Sequence, residues 1–138
     1  VSAWIFHLVY CAACHEMSKT TLLICKDSGW QFSPVADSKD RLYHLLDLYW
    51  KGLSKPLRFF PESSLEYCRR IAKGNTRRDA HRAACRKWEG NPFSGGWGES
   101  DDPYYSVCFR NEDPIADRFE NLSTAILDPL LNHCREVH

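Results

Sequence analysis

Between Ser38 and Leu53, six large apolar side chains fall at i, i+3, i+4, i+7, i+8 and i+11: Leu42, Leu45, Leu46, Tyr49, Trp50 and Leu53. A strand would alternate in twos, so this spacing predicts a helix of about four turns with one apolar stripe. Such a stripe has to be covered by a second layer of structure, which requires a packed core. Asp37 or Ser38 can cap the start, and Gly52 and Pro56 bracket the end.

The flanking segments suggest what that second layer is. Residues 20–26 are rich in β-formers, Asp27-Ser28-Gly29 supplies a turn in which glycine is free to take a positive φ, and Trp30 and Phe32 alternate with Gln31 and Ser33. This predicts a hairpin, with Pro34 ending the second strand or placing it at an edge. Residues 1–14 are nearly all apolar; Trp4, Leu8 and Cys11/Ala12 form one helical row, and Ile5, Val9 and Ala12 a second. A buried strand is the alternative, but the run is long for a strand and helix is preferred. Ser63-x-x-Glu66 reads as a capping box for a helix burying Leu65, Cys68 and Ile71 or Ala72 and stopped by Gly74. Thr76 and Asp79 start another helix, with Ala80, Ala83, Ala84 and Trp88 inside and Gly90 at its end. Asp113-Pro114 reads as the start of a last helix carrying Ile115, Phe119, Leu122, Ile126 and Leu130, kinked or ended by Pro129. The prediction is α+β: a small antiparallel hairpin or sheet packed with about five helices, in a single domain over 1–138. The start on Val1 reads as a C-terminal fragment of a longer chain.

Composition narrows the function classes. Apolar residues make up 43% of the 138 and charged residues 26%, as in an average globular domain. The 18 basic and 18 acidic side chains cancel, which disfavours a globally basic nucleic-acid binder. The longest apolar run, Ala3–Cys14, is broken by His7 and is far short of a membrane span. Seven scattered cysteines do not resemble a secreted disulfide framework and point to a reduced, cytoplasmic protein.

The charge is balanced overall but not locally. Residues 51–87 hold eleven Lys/Arg against three acids, and residues 99–138 hold nine acids against three Arg. Arg69, Arg70, Lys73, Arg77, Arg78, Arg82, Arg86 and Lys87 span two consecutive predicted helices. This cluster could track a phosphate backbone as a nucleic-acid-binding module, lie against the acidic half, or be simply solvated. Arg70, Arg77 and Arg78 lead the candidates, since they fall off the apolar stripes.

Catalytic motifs are sparse. Cys11-Ala12-Ala13-Cys14-His15 fits the attachment motif of c-type haem, which needs two thiols a helical turn apart and an axial imidazole. Haem c belongs to exported proteins, and no second Cys pair supports a zinc site, so the preferred reading is a helix end packed on the core. The glycine-rich loop 90–103 has no Lys or Arg between Trp88 and Cys108 to make a P-loop. Its acids Glu99, Asp101 and Asp102 read as turn residues, and the loop as structural or partner-facing. A Cys/His nucleophile pair has no orienting motif. A nuclease of the PD-(D/E)XK kind sets an acid and a Lys on the second strand of a hairpin to support Mg²⁺ and the attacking water. Here that strand reads Trp30-Gln31-Phe32-Ser33-Pro34-Val35.

Several blocks in order carry a family resemblance: Ala3–Ala12 (AWIFHLVYCA), Lys26–Phe32 (KDSGWQF), Pro56–Ser63 (PLRFFPES), Trp88–Asn91, Asp101–Tyr105 and Pro129–Leu131. The chain resembles the C-terminal domain of the RecC (gamma) subunit of bacterial exodeoxyribonuclease V, a helicase–nuclease of double-strand-break repair and recombination. In that family the first block is helical. The resemblance implies a degenerate restriction-endonuclease-like fold with no catalytic residues, Ser33, Pro34 and Val35 standing at the vacated metal position. It implies a scaffold for the sister subunits RecB and RecD that helps handle DNA strands. ATP and Mg would belong to those subunits, leaving no cofactor here. Cys14 and His15 look peculiar to this sequence, which weakens the haem reading further.

Overall fold

A computed structural model describes residues 1–14, 19–90, 96–110, 112–116 and 118–137. Along the chain they form α1 (Ser2–Ala13), β1 (Thr21–Ile24), β2 (Gly29–Phe32), α2 (Ser38–Ser54), α3 (Pro61–Ala72), α4 (Arg77–Glu89), a 3₁₀ turn (Glu99–Asp101), α5 (Pro103–Cys108), α6 (Phe119–His133) and β3 (Cys134–Val137). The architecture is α+β, with six α-helices and one three-stranded antiparallel sheet in the order β1-β2-β3 among the described residues. The chain divides into two compact units, residues 1–55 with 129–138 and residues 56–128.

In the first unit β2 is the central strand, its residues Gly29 to Phe32 pairing with Ile24 to Thr21 on one side and with Val137 to Cys134 on the other. The expected hairpin forms, and Cys134–Val137 adds a third strand that the sequence pattern does not predict. Pro34 lies just past the end of β2, one of the two places expected for it, and β2 is the central strand and not an edge. Gly29 is needed for space and not for a positive φ. A Cβ there would sit 3.0 Å from both the carbonyl oxygen and Cγ2 of Val137. The core is built from Trp4, Leu8 and Cys11 of α1, Phe32 of β2, and Val35, with Leu23, Leu42, Leu45 and Leu130 packed against it.

Two expectations for this unit need correction. The second apolar row of α1 is not inside, since Ile5 and Val9 are exposed. His7, which interrupts the apolar run, is buried instead, on the same face as Trp4, Leu8 and Cys11. The α2 stripe is also split. Its buried and half-buried face runs through Ser38, Leu42, Leu45 and Leu48, while Leu46, Tyr49, Trp50 and Leu53 are exposed.

The second unit is organised around Phe60, which is fully buried. Its ring lies 4.5 Å from that of Trp88, 5.2 Å from Tyr105, 5.3 Å from Phe109 and 6.2 Å from Phe119, centroid to centroid. These rings come from α3's N-cap, α4, α5 and α6, so the cluster ties four segments together through aromatic burial. The fully buried face of α3 is Ser63, Ser64, Tyr67 and Cys68. Of the row expected inside, Cys68 is buried, Leu65 and Ile71 are half-buried and Ala72 is exposed. Ser123 Oγ of α6 donates to Ser64 Oγ at 2.9 Å, which satisfies two hydroxyls that burial would otherwise strand.

Capping shows where local reading holds and where it fails. Thr76 Oγ1 accepts from Asp79 N, as the sequence predicts. Gly74 and Gly90 close α3 and α4 with φ of 79° and 72°. The Ser63/Glu66 capping box does not form. The helix starts earlier, with Phe60 as N-cap and Pro61 behind it. The free N–H groups of Glu62 and Ser63 donate to the Glu99 carboxylate at 2.9 and 2.8 Å, and Ser63 Oγ adds a third bond at 2.6 Å. Glu66 pairs with Arg70. Asp113 likewise caps a short turn through Ile115 N, and α6 begins only at Phe119. That helix continues through Pro129 to His133.

Glu99 combines three hydrogen bonds with a negative charge at the start of α3, where the helix dipole favours it. Glu99→Ala should therefore lower unfolding stability by about 1–2 kcal/mol, read by urea or thermal denaturation. A change within a few tenths of a kcal/mol would mean that water caps α3 equally well.

Candidate partner interface and the end of strand β2

The basic cluster lies on α3 and α4 of the second unit, helices joined by the tight turn at Gly74-Asn75-Thr76. The side chains of Arg69, Arg70, Lys73, Arg77, Arg78 and Arg82 are exposed, as are those of Arg86 and Lys87. Small alanines face inward on α4, so its long cationic side chains stand on the solvent side. The cluster is not uniform. Arg70 pairs with Glu66 one turn earlier. Arg77 pairs with Glu120 of α6 at 2.6 Å and bonds to the Tyr67 hydroxyl, and both contacts hold its guanidinium firmly charged. Lys87 lies 3.8 Å from Glu62.

The leading trio Arg70, Arg77 and Arg78 is thus broken up, with two members already engaged by carboxylates. Arg69, Lys73, Arg78, Arg82 and Arg86 have no carboxylate partner among the described residues. On α4 the three arginines recur every four residues, about 6 Å of rise each, and so form one stripe along the helix. Glu120 also lies 3.3 Å from His81 Nδ1. It is a residue that sequence reading missed, because it stands 43 positions from Arg77 and no local pattern links them.

Two thiols of this unit, Cys68 and Cys85, are poor nucleophiles. Burial, then the neighbouring Asp128, pushes the Cys68 thiol up to about 12. Burial also raises Cys85. A thiolate is therefore disfavoured at both.

In the first unit, the end of β2 is held by structural bonds. Ser33 N donates to the His133 carbonyl at 2.8 Å, and Ser33 Oγ bonds to the same oxygen at 3.3 Å. The Ser33 carbonyl accepts from His7 Nε2 at 2.9 Å. That bond fixes the imidazole's proton on Nε2, so Nδ1 accepts from Thr21 Oγ1 at 2.8 Å. Val35 points into the core at 2% exposure. A shallow cavity of about 330 Å³ beside this strand end is lined by Thr20, Gln31, Ser33, Pro34, Asn132, His133, Cys134 and Arg135. No carboxylate among the described residues lines it. Among the described residues, no three His, Cys, Asp or Glu side chains gather at metal-ligand spacing.

The haem motif does not present itself as an attachment site. Cys11 is 3% exposed, packed in the core with its sulfur 3.4 Å from His7 Nε2. Cys14 is the extended residue that closes α1. His15 lies outside the described residues. The seven cysteines, all described, form no disulfide. The acids of the 90–103 loop serve as caps: Glu99 for α3, Asp101 for Gly98 N, and Asp102 for the first N–H groups of α5. No described helix is long and apolar enough to cross a membrane.

Burial keeps His7 below the ordinary pKa of 6.5, and the nearby His133 lowers it further against the opposing Ser33 bond. The unfolded chain then takes up a proton at this residue before the folded chain does. The contribution of His7 is complete above about pH 6.5 and declines as pH falls below it. Wild-type protein should lose more melting temperature between pH 7.5 and 5.5 than His7→Gln does. Equal losses would remove His7 as a source of acid sensitivity.

Comparison with curated proteins finds no match. A family model does match, over residues 1–72 of the 138. That stretch includes α1, both strands of the hairpin, α2 and α3, as well as the first three sequence blocks, and stops before α4. With just over half its length matched, the chain belongs to the RecC C-terminal domain family.

Proposed function

We propose that this chain is a non-catalytic domain of a helicase–nuclease assembly of the exodeoxyribonuclease V type. In that reading it organises sister subunits such as RecB and RecD and helps handle DNA strands in double-strand-break repair, in the cytoplasm. Membership of the RecC C-terminal domain family is the observation that carries it. ATP hydrolysis and Mg²⁺ chemistry belong to the sister subunits.

The chemistry of β2 supports the non-catalytic part. In this reading the small sheet with its flanking helices is a nuclease-like fold that has lost its metal ligands. A metal-dependent nuclease needs acids to hold the cation and a Lys to support water. Ser33, Pro34 and Val35 offer a hydroxyl, a ring and a core methyl pair, and the Ser33 backbone is committed to His7 and His133.

The α4 stripe supports the strand-handling part. Cations with no carboxylate partner among the described residues, repeated at each turn, suit the evenly spaced charges of a phosphodiester backbone. Arg77 and Arg70 are tied down internally and contribute less in this reading.

Binding of the chain to a labelled DNA oligonucleotide across a salt series tests this reading. Replacing Arg78, Arg82 and Arg86 by Ala should reduce the slope of log K against log salt by roughly 2–3, since each phosphate contact contributes about 0.9. Arg77→Ala alone should change it by less. A slope unaffected by the triple replacement would assign the stripe to solvent and withdraw it from DNA handling.

A further inference from the structure

The outer side of α2 is apolar in a way the first unit does not use. Tyr43, Leu46, Trp50 and Leu53 follow one another at intervals of three, four and three, with Tyr49 beside them. All five are exposed, from 54% for Leu46 to 71% for Tyr43. At roughly 150–250 Å² for each aromatic side chain, the seam presents roughly 500 Å² of apolar surface. That is near the upper end of what a soluble monomer leaves open, and patches of this kind mark contact sites.

We infer that this seam receives an amphipathic α-helix of another polypeptide, apolar at three- and four-residue spacing and acidic at the end that meets Lys39. The spacing is that of helix-on-helix packing, in which side chains of one helix enter the gaps between those of its neighbour. Charge sets the polarity. Beside the seam, Asp47 is closed by Lys51 and Arg41 by Asp37. Asp40 lies in the first turn, where its own helix dipole favours it. Lys39 stands one turn before Tyr43 on the seam line with no carboxylate partner among the described residues. A ligand carboxylate there completes the pair.

The area also selects the occupant. A helix laid on the seam would bury about 1,000 Å² in total, the lower end of specific interfaces and well below the 2,000 Å² or more of obligate homodimers. A second copy also fails on charge: parallel α2 helices would set Lys39 against Lys39, and antiparallel ones would set it beside Leu53 and Ser54. Helix-in-groove recognition fits both constraints.

The test uses two synthetic 17-residue helical peptides with leucines at this spacing, one carrying two Glu at the end facing Lys39 and one carrying two Lys there. Peptide anisotropy and hydrogen exchange over residues 39–54 report binding. The Glu peptide is expected to bind several-fold tighter than the Lys peptide and to protect α2. Leu46→Asp with Trp50→Ala should weaken it by at least about tenfold, with the β1–β2 amides still protected as evidence of folding. Lys39→Glu should invert the preference between the peptides. Absence of binding by either peptide to the folded chain overturns the inference. So does a dimer by light scattering that the Leu46/Trp50 pair of substitutions dissolves, since the seam would then belong to a second copy.

Discussion

A neutral imidazole at the centre of the first unit ties α1 to both arms of the hairpin by hydrogen bonds within the core they share. His7 projects from α1, receives a hydrogen bond from Thr21 at the start of β1, and donates to the Ser33 carbonyl just past β2. The rings of Trp4 and Phe32 pack against the imidazole and against each other, at 5.6, 5.4 and 5.7 Å between centroids. Both nitrogens are satisfied, so a polar group sits at 1% exposure without the penalty of an unmade bond. The same bond, with the one from Ser33 N to the His133 carbonyl, commits the backbone at the end of β2 to structure.

The second unit solves a different problem. It displays long cationic side chains on α3 and on α4, the latter with an inward face of alanines. Ala80, Ala83 and Ala84 let α4 approach its neighbours closely, and the Phe60 ring cluster supplies the apolar burial that alanines alone would not. Glu99 and Glu120 reach across from distant segments, the first to cap α3 and the second to neutralise Arg77. The unpaired arginines on α4 are left facing solvent in an ordered row.

The sequence made α1 to α4, most of α6, the hairpin and the Thr76 and glycine caps legible, because periodicity and capping are local; the short α5 went unread. It did not reveal β3, since Cys-Arg-Glu-Val has no alternation strong enough to separate it from a fraying helix end. His7 looked like a break in an apolar run, and only the partners 14 and 26 residues away make it a core residue. Arg77 looked like a free cation for the same reason, its carboxylate being 43 positions distant. The α2 stripe was read as wholly inward, whereas the unit covers only one edge of it. A stripe reports that something apolar lies opposite, not that the same unit supplies all of it.

In the proposed reading, the end of β2 is a packed structural joint and not a cation site. Backbone amide NMR of the whole chain titrated with Mn²⁺ tests it most directly, because a bound paramagnetic ion broadens nearby resonances selectively. The account predicts that Gln31, Phe32, Ser33 and Val35 broaden no more than surface amides elsewhere. Saturable, selective broadening centred on those residues at low Mn²⁺ would contradict it.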